Sequence, residues 1–279
     1  MDTAIPTEPP TAPAVSVVIP TYNQPALLEQ ALASVRDQSF PDLEVIVIDD
    51  GSTDDTPARL AAVAAADRRV RVVRQPNAGT GRARNRGLDE ARGRYVALLE
   101  HDDLWLPGKL AAQVAFLGAH PECVACLAPL AVSQDPGRPL FDTGLAASDG
   151  VIARPFRLAA DKVPLFITCS ALMFRRAAAA GVRFGEDRGA IEDVQFYIRL
   201  LARGRLGIAG GEGDAAVLAI YRQHDANASG QPGYYRAGRS LLRRLRRSGM
   251  YDGLGPADRA DCEAWLAFVG RAAAATQLL

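Results

Sequence analysis

Glu100, Asp102 and Asp103 fall within four positions, with His101 after the first, at the point where the apolar run 95–99 stops. Asp49 and Asp50 close a similar run, 43–48. Carboxylates held close repel one another, raise each other's proton affinity and cost stability. A divalent cation bound through oxygen and shared with a phosphate removes that cost, and is the economical reason for acids so placed. The plainer alternative is that acids cap turns and helices. Asp54 and Asp55, in the first turn of a predicted helix, are read that way. For Asp102 and Asp103 capping is the weaker account, because Leu104-Trp105-Leu106 intervene before the helix expected from Pro107.

Two run-ends meet only if parallel strands carry them, and the chain has that rhythm. "VSVVIP" is a β-branched run, followed by a helical pattern with Leu27, Leu28, Ala31, Leu32 and Val35 on one face. "LEVIVIDD" is nearly continuous apolar sequence, as a strand covered on both faces should be, and a helix with Ser52 or Thr53 as its cap follows. A third strand, "RVRVVRQ", leads to a helix whose packed face is Ala83, Gly87, Leu88 and Ala91 and whose stop is Gly93. The strand "YVALLEHDD" and a helix carrying Leu110, Val114 and Leu117 complete this half. Such alternation predicts an α/β fold, a doubly wound, mostly parallel sheet flanked by helices, with ligands beyond the carboxyl ends of its strands. Asp49, Asp50, Glu100, Asp102 and Asp103 are then expected to face one crevice. After Pro121 the rhythm changes to a strand around 123–132, a Gly/Pro/Asp-rich loop to about 164, a strand "FITCSALMF" and a helix at "EDVQFYIRLLARG". That loop is where a second substrate would be held.

Composition narrows the field further. Lys plus Arg and Asp plus Glu both total 32, so no global charge points to nucleic acid. Residues 1–14 are Pro-rich and read as a disordered tail. No apolar stretch approaches the roughly 18–20 residues of a spanning helix, and the N-terminus lacks a basic-then-apolar leader, so a cytoplasmic protein is expected. Cys123 and Cys126 form a C-x-x-C with no second pair to complete a zinc site, and read as core residues. The 234–247 stretch carries six arginines around Leu241, Leu242 and Leu245. It is read as a solvated helix docked on the domain, with contact to the anionic inner face of a membrane as the alternative. A Walker A loop and a G-x-G-x-x-G run are both absent.

Taken in order, "VSVVIPTYN", "VIVIDDGSTDDT", "NAGTGRARNRGL", "GRYVALLEHDDLWLPGKLAAQ", "IEDVQFYIRL" and "YRQHDANAS" resemble the inverting family 2 glycosyltransferases of GT-A fold. The resemblance spans about 15–230, with 15–120 the nucleotide-binding half, 121–230 the acceptor-binding half and 231–279 a C-terminal helical extension. It implies transfer of a sugar from a nucleotide diphosphate sugar, UDP-linked above all, to the hydroxyl of a glycan or lipid-linked acceptor. It implies Mn²⁺ or Mg²⁺ as cofactor. By the same resemblance Pro20, Thr21 and Tyr22 line the nucleotide pocket, Asp50 contacts the base, and Arg84 either contacts the donor sugar or packs. Asp102 would lie near ribose and metal, Asp103 would be the main metal ligand, and His224 an additional one. Asp193 matches the general base, with Glu192 orienting the acceptor; the plain reading of that pair is a helix N-terminus favoured by the dipole. Asn85 is read as structural. The chain departs from the family's D-x-D-D in having Glu100-His101-Asp102-Asp103, which puts sugar contacts near position 100 in question. The alternative from another class is a non-catalytic nucleotide-sugar-binding or scaffold protein with a decayed site.

Overall fold

A computed structural model describes residues 12–133, 141–142, 150–152, 155–156, 168–186, 192–210, 217–224, 227, 247, 249 and 251–275. Strands β1 (Val15–Thr21) and β2 (Leu43–Asp49) are buried at every residue and pair in parallel from Val15↔Leu43 to Thr21↔Asp49. Between them α1 (Pro25–Arg36) buries Leu28, Ala31, Leu32 and Val35, the i, i+3, i+4, i+7 stripe of a helix lying on a sheet. Next come α2 (Thr56–Ala66), β3 (Val70–Arg74), α3 (Thr80–Glu90) and β4 (Tyr95–Leu98), and β4 pairs in parallel with the free side of β1. The carboxyl ends of β1, β2 and β4 therefore lie side by side. Leu99 N–H still bonds Val18 O at 3.1 Å, so Glu100 is the first residue to leave the sheet.

The second half is β5 (Leu104–Trp105), α4 (Lys109–Ala119), β6 (Cys123–Leu127), β7 (Leu130–Ser133), β8 (Phe141–Asp142), β9 (Gly150–Ile152), β10 (Leu172–Arg175), α5 (Val194–Leu201), β11 (Arg205–Ile208), β12 (Ala219–Arg222) and α6 (Pro256–Ala275). Eight strands form one mixed sheet, β3-β2-β1-β4-β10-β6-β11-β9, in which β10 runs antiparallel between β4 and β6. A smaller sheet, β5-β12-β7-β8, stands beside it. The C-terminal helix joins the core through Cys262, Trp265 and Leu266, with Trp265 stacked on Phe156 at 5.9 Å.

Several local expectations change. Neither Ser52 nor Thr53 caps α2; the helix starts at Thr56, whose N–H is taken by Asp54, while Ser52 and Thr53 bond Asn23. Helix α3 ends at Glu90, and Gly93 instead admits the backbone of β1, since a Cβ there would sit 2.5 Å from Ser16 N. Helix α4 begins at Lys109, not Pro107. The 123–132 strand is two strands in two different sheets, and a 3-10 turn over Cys169–Ala171 takes the middle of "FITCSALMF". Cys123 and Cys126 are free, buried core thiols, as expected. Apart from Arg247, the arginine-rich 234–247 stretch lies outside the described residues, as do 1–11. Among the described residues no helix is long and apolar enough to cross a membrane.

Candidate active site

The loops at the ends of β1 and β2 are stitched to each other. Asn23 and Gln24 both have left-handed φ, 58° and 59°, which lets the chain turn sharply between Tyr22 and Pro25. In that turn Asn23 N–H bonds Ser52 Oγ at 2.8 Å and its side chain accepts Thr53 N–H at 2.9 Å. Pro20 and Thr21 are buried within β1, and Tyr22 is 43% exposed at the rim. Asp50 is buried, but its carboxylate is already engaged: Oδ1 accepts Gln75 Nε2 at 2.7 Å and Ala78 N–H at 2.9 Å, and Oδ2 accepts Gly79 N–H at 2.8 Å. It anchors the loop that enters α3. Asp49 likewise binds Ser52 N–H at 2.8 Å and faces Arg74 Nε at 3.4 Å.

Pairing of β5 with β12 decides the environment of the next two acids. Ile220 lies opposite Leu104 in an antiparallel register, so two residues further out Arg222 comes opposite Asp102, and its Nε donates to Asp102 O. His224 and Asn227 follow at once. His224 Nε2 and Asn227 Nδ2 each lie 3.2 Å from Asp102 Oδ2. Asp103 has no part in that group: it is 1% exposed, with Oδ2 accepting the Ser170 hydroxyl and Oδ1 accepting Arg222 N–H at 3.0 Å. Burial, followed by the charge of Asp102, raises the proton affinity of Asp103 well above the usual carboxylate range. Asp102 and Asp103 are adjacent in sequence and both touch Arg222, but their carboxylates are held by different partners.

A third group links the strand ends to α5. Arg84 on α3 is 6% exposed and sits between two acids, 2.9 Å from Glu100 Oε1 through Nη2 and 3.0 Å from Glu192 Oε1 through Nη1, with its guanidinium 5.3 Å over the Phe184 ring. The extra methylene of Glu100 is thus used on a protein cation. Asp193 is half-buried beside Glu192 at the start of α5, and its carboxyl is pushed up to about 6 by burial and by the charge of Glu192, against the pull of Arg84 and a hydrogen bond with Tyr197. Asn85 is structural, exchanging hydrogen bonds of 3.1 and 2.9 Å with the backbone of Phe184. Gly81 lets α3 close on this group, because a Cβ there would lie 1.8 Å from Gly185 O. His101 Nε2 is buried with no hydrogen-bond partner among the described residues.

Residues 16–181, more than half of the chain, match the family model described as glycosyl transferase family 2. The chain belongs to that family. This glycosyltransferase is 33% identical over 195 residues to a Bacillus subtilis glycosyltransferase named for teichuronic acid biosynthesis, TuaG, with 69% of this chain and 73% of the relative aligned. It is 41% identical over 100 residues to the Campylobacter jejuni GalNAc(5)-diNAcBac-PP-undecaprenol beta-1,3-glucosyltransferase, across 35% of this chain and 32% of that one. Its fold matches Staphylococcus aureus TarS 1–349 in complex with UDP-GlcNAc, at TM-score 0.72 and 20% identity over 92% of this chain and 72% of that one. It also matches the mannosyltransferase PcManGT of Pyrobaculum calidifontis in complex with GDP-Man and Mn²⁺, at TM-score 0.64 and 22% identity over 96% and 74%. These likenesses show the GT-A fold expected from the motifs.

The sequence reading singled out Glu100, Asp102, Asp103, Glu192, Asp193 and His224 but passed over Ser170, Arg222, Asn227 and Tyr197. Arg222 and Asn227 lie in the same "YRQHDANAS" stretch as His224, so their signal was available. Ser170 had none, being one serine in an apolar segment.

Proposed function

We propose that the enzyme moves a sugar from a nucleoside diphosphate sugar, UDP-linked first among candidates, to an acceptor hydroxyl with inversion, in the synthesis of a cell-surface glycan. The observation that carries this is the meeting of Asp102 with His224 beyond the carboxyl end of β4, where an open sheet of this kind binds its ligand. The names of TuaG and of the Campylobacter enzyme, and the UDP-GlcNAc bound to TarS, support the surface-glycan and UDP parts of the reading. A lipid-linked acceptor is the class the Campylobacter relative's name describes.

Among the described residues no group of three or more His, Cys, Asp and Glu side chains forms a ready-made metal cage. A carboxylate with one neighbouring imidazole fits Mn²⁺ or Mg²⁺ nonetheless, because these ions take most of their ligands from water and from the phosphates they serve. We assign Asp102 and His224 as that pair, in place of the Asp103 expected from the motif, whose two oxygens are both occupied by protein donors. Bound there, the cation would act as a Lewis acid on the diphosphate leaving group. Asn227 Nδ2, 3.2 Å from Asp102 Oδ2 and 3.3 Å from His224 Nε2, orients the pair together with Arg222, which holds Asp102 O. Across the Glu100–Arg84–Glu192 bridge, Asp193 takes the proton of the acceptor hydroxyl as its oxygen bonds to the anomeric carbon, and attack opposite the leaving group inverts that centre. Glu192, held by Arg84, orients the acceptor. Pro20, Thr21 and Tyr22 line the nucleotide pocket, and Asp50 shapes it through the 75–79 loop.

Calorimetric titration of UDP into the protein with and without Mn²⁺, repeated with GDP and dTDP, tests the reading. Mn²⁺-dependent binding of UDP alone is expected. Tighter binding of GDP or dTDP would replace the donor assignment, and binding of none of the three would favour a decayed site.

A further inference from the structure

Tyr197 lies one helical turn after Asp193 on α5, and its N–H bonds Asp193 O at 3.0 Å. The side chain is 1% exposed, and a buried phenol needs a partner for its proton. Two groups are beside the hydroxyl: Cys169 Sγ at 3.1 Å, and the Asp193 carboxyl one turn back on the same helix, whose proton affinity the phenol lowers. An ionised carboxylate can only accept, so the phenol's single proton goes to Asp193, and the phenolic oxygen is left to accept from the thiol. Cys169 comes from the 3-10 turn before β10, so this chain of donors is anchored on the central sheet rather than on α5 alone.

Resting on the assignment of Asp193 as the base, we infer that Tyr197 is a positioning residue for it, its hydroxyl fixing the carboxylate and Cys169 fixing the hydroxyl. Burial pushes the pKa of the thiol and of the phenol well up, so both keep their protons at neutral pH and the direction of donation does not reverse. The other charged groups around Asp193 are Glu192 on its own turn, Arg84 on α3 and, beyond Arg84, Glu100 at the end of β4. Glu192 favours the protonated acid and Arg84 the anion. Tyr197 is the donor from α5 itself.

The test needs no substrate. In protein labelled with ¹³C at the aspartate carboxyl carbons, the Asp193 signal is the one lost in Asp193→Asn, and its midpoint is followed with pH. In the Tyr197→Phe variant, which keeps the ring, the midpoint is expected to rise by about half to one pH unit, because a donor to the charged form is gone. Cys169→Ala leaves the hydroxyl in place but unsupported, and a smaller rise is expected. A folded Tyr197→Phe whose midpoint matches wild type would overturn the inference. Should that variant fail to fold, an unmoved midpoint in Cys169→Ala would overturn it instead. The base assignment fails separately, if Asp193→Asn releases UDP from UDP-GlcNAc as fast as wild type.

Discussion

His224 Nε2 lies 3.2 Å from Asp102 Oδ2 across a sequence separation of 122 residues. Asp103, next to Asp102 in the chain, is turned into the protein and bonded to Ser170 and to Arg222 N–H. The two acids are therefore predicted to separate on mutation. Asp102→Asn should weaken Mn²⁺-dependent UDP binding by tenfold or more, about 1.4 kcal/mol or greater, with little change in stability. An asparagine at 103 would turn an NH₂ toward one of two donors. It should cost about 1–3 kcal/mol of stability in urea unfolding and weaken binding less than Asp102→Asn does. Equal losses of binding in the two variants would return Asp103 to the metal.

Removing Arg84 leaves Glu100 and Glu192 facing each other without a counter-charge. Arg84→Met is predicted to destabilise by about 2–4 kcal/mol, somewhat below the range for fully buried pairs because both acids keep some solvent contact. Glu100→Gln should cost less, since Arg84 keeps Glu192. Urea titrations of the two variants at one pH check the ordering.

The Asp193 carboxyl titrates at about 6 in the folded chain against an ordinary 3.8. A raised acid contributes stability below its unfolded value, and that contribution is lost as pH rises through the folded value. Relative to wild type, Asp193→Asn should therefore gain stability between pH 4 and pH 7, by on the order of 1 kcal/mol. Wild-type transfer should fall toward tenfold per pH unit below about 6, as the base takes up its proton. A flat stability difference across that range would remove the shift.

Lys109 is fully buried, with Nζ 2.7 Å from Gln113 Oε1 and 3.9 Å from the centre of the Trp105 ring. Burial lowers its pKa from 10.5 to about 7. The unfolded chain then binds the extra proton between those values, so this lysine makes stability rise with pH from about 7 to 10. Lys109→Met should abolish that rise. Its stability relative to wild type should be greater at pH 6 than at pH 9.5 by on the order of 2–4 kcal/mol, read by urea denaturation at both pH values.

The nucleotide-side architecture was legible because local signals agree there. β1, β2 and β4 are uninterrupted apolar runs, each ends where polar sequence begins, and the stripe of α1 is read directly from its residues. Parallel strands then bring their ends together whatever the side chains. The second half was read less well, because β6 and β7 are one apolar stretch divided between two sheets only by Ala128 and Pro129. Gly93 reads as a helix stop in sequence, whereas it marks, as Gly81 does, a place where another backbone approaches closely.

The sequence by itself determined that acids would gather at the carboxyl edge of a parallel sheet, and to which family the chain belongs. It did not determine which acid faces outward. Asp102 and Asp103 follow one another, and which of two adjacent side chains is buried depends on what each meets. Ser170 waits 67 residues away and His224 122 residues away. Those meetings exist only once β5 has paired with β12 and the 3-10 turn over Cys169–Ala171 has packed beneath the loop. Pairing and packing of that kind are long-range, so no local pattern encodes them.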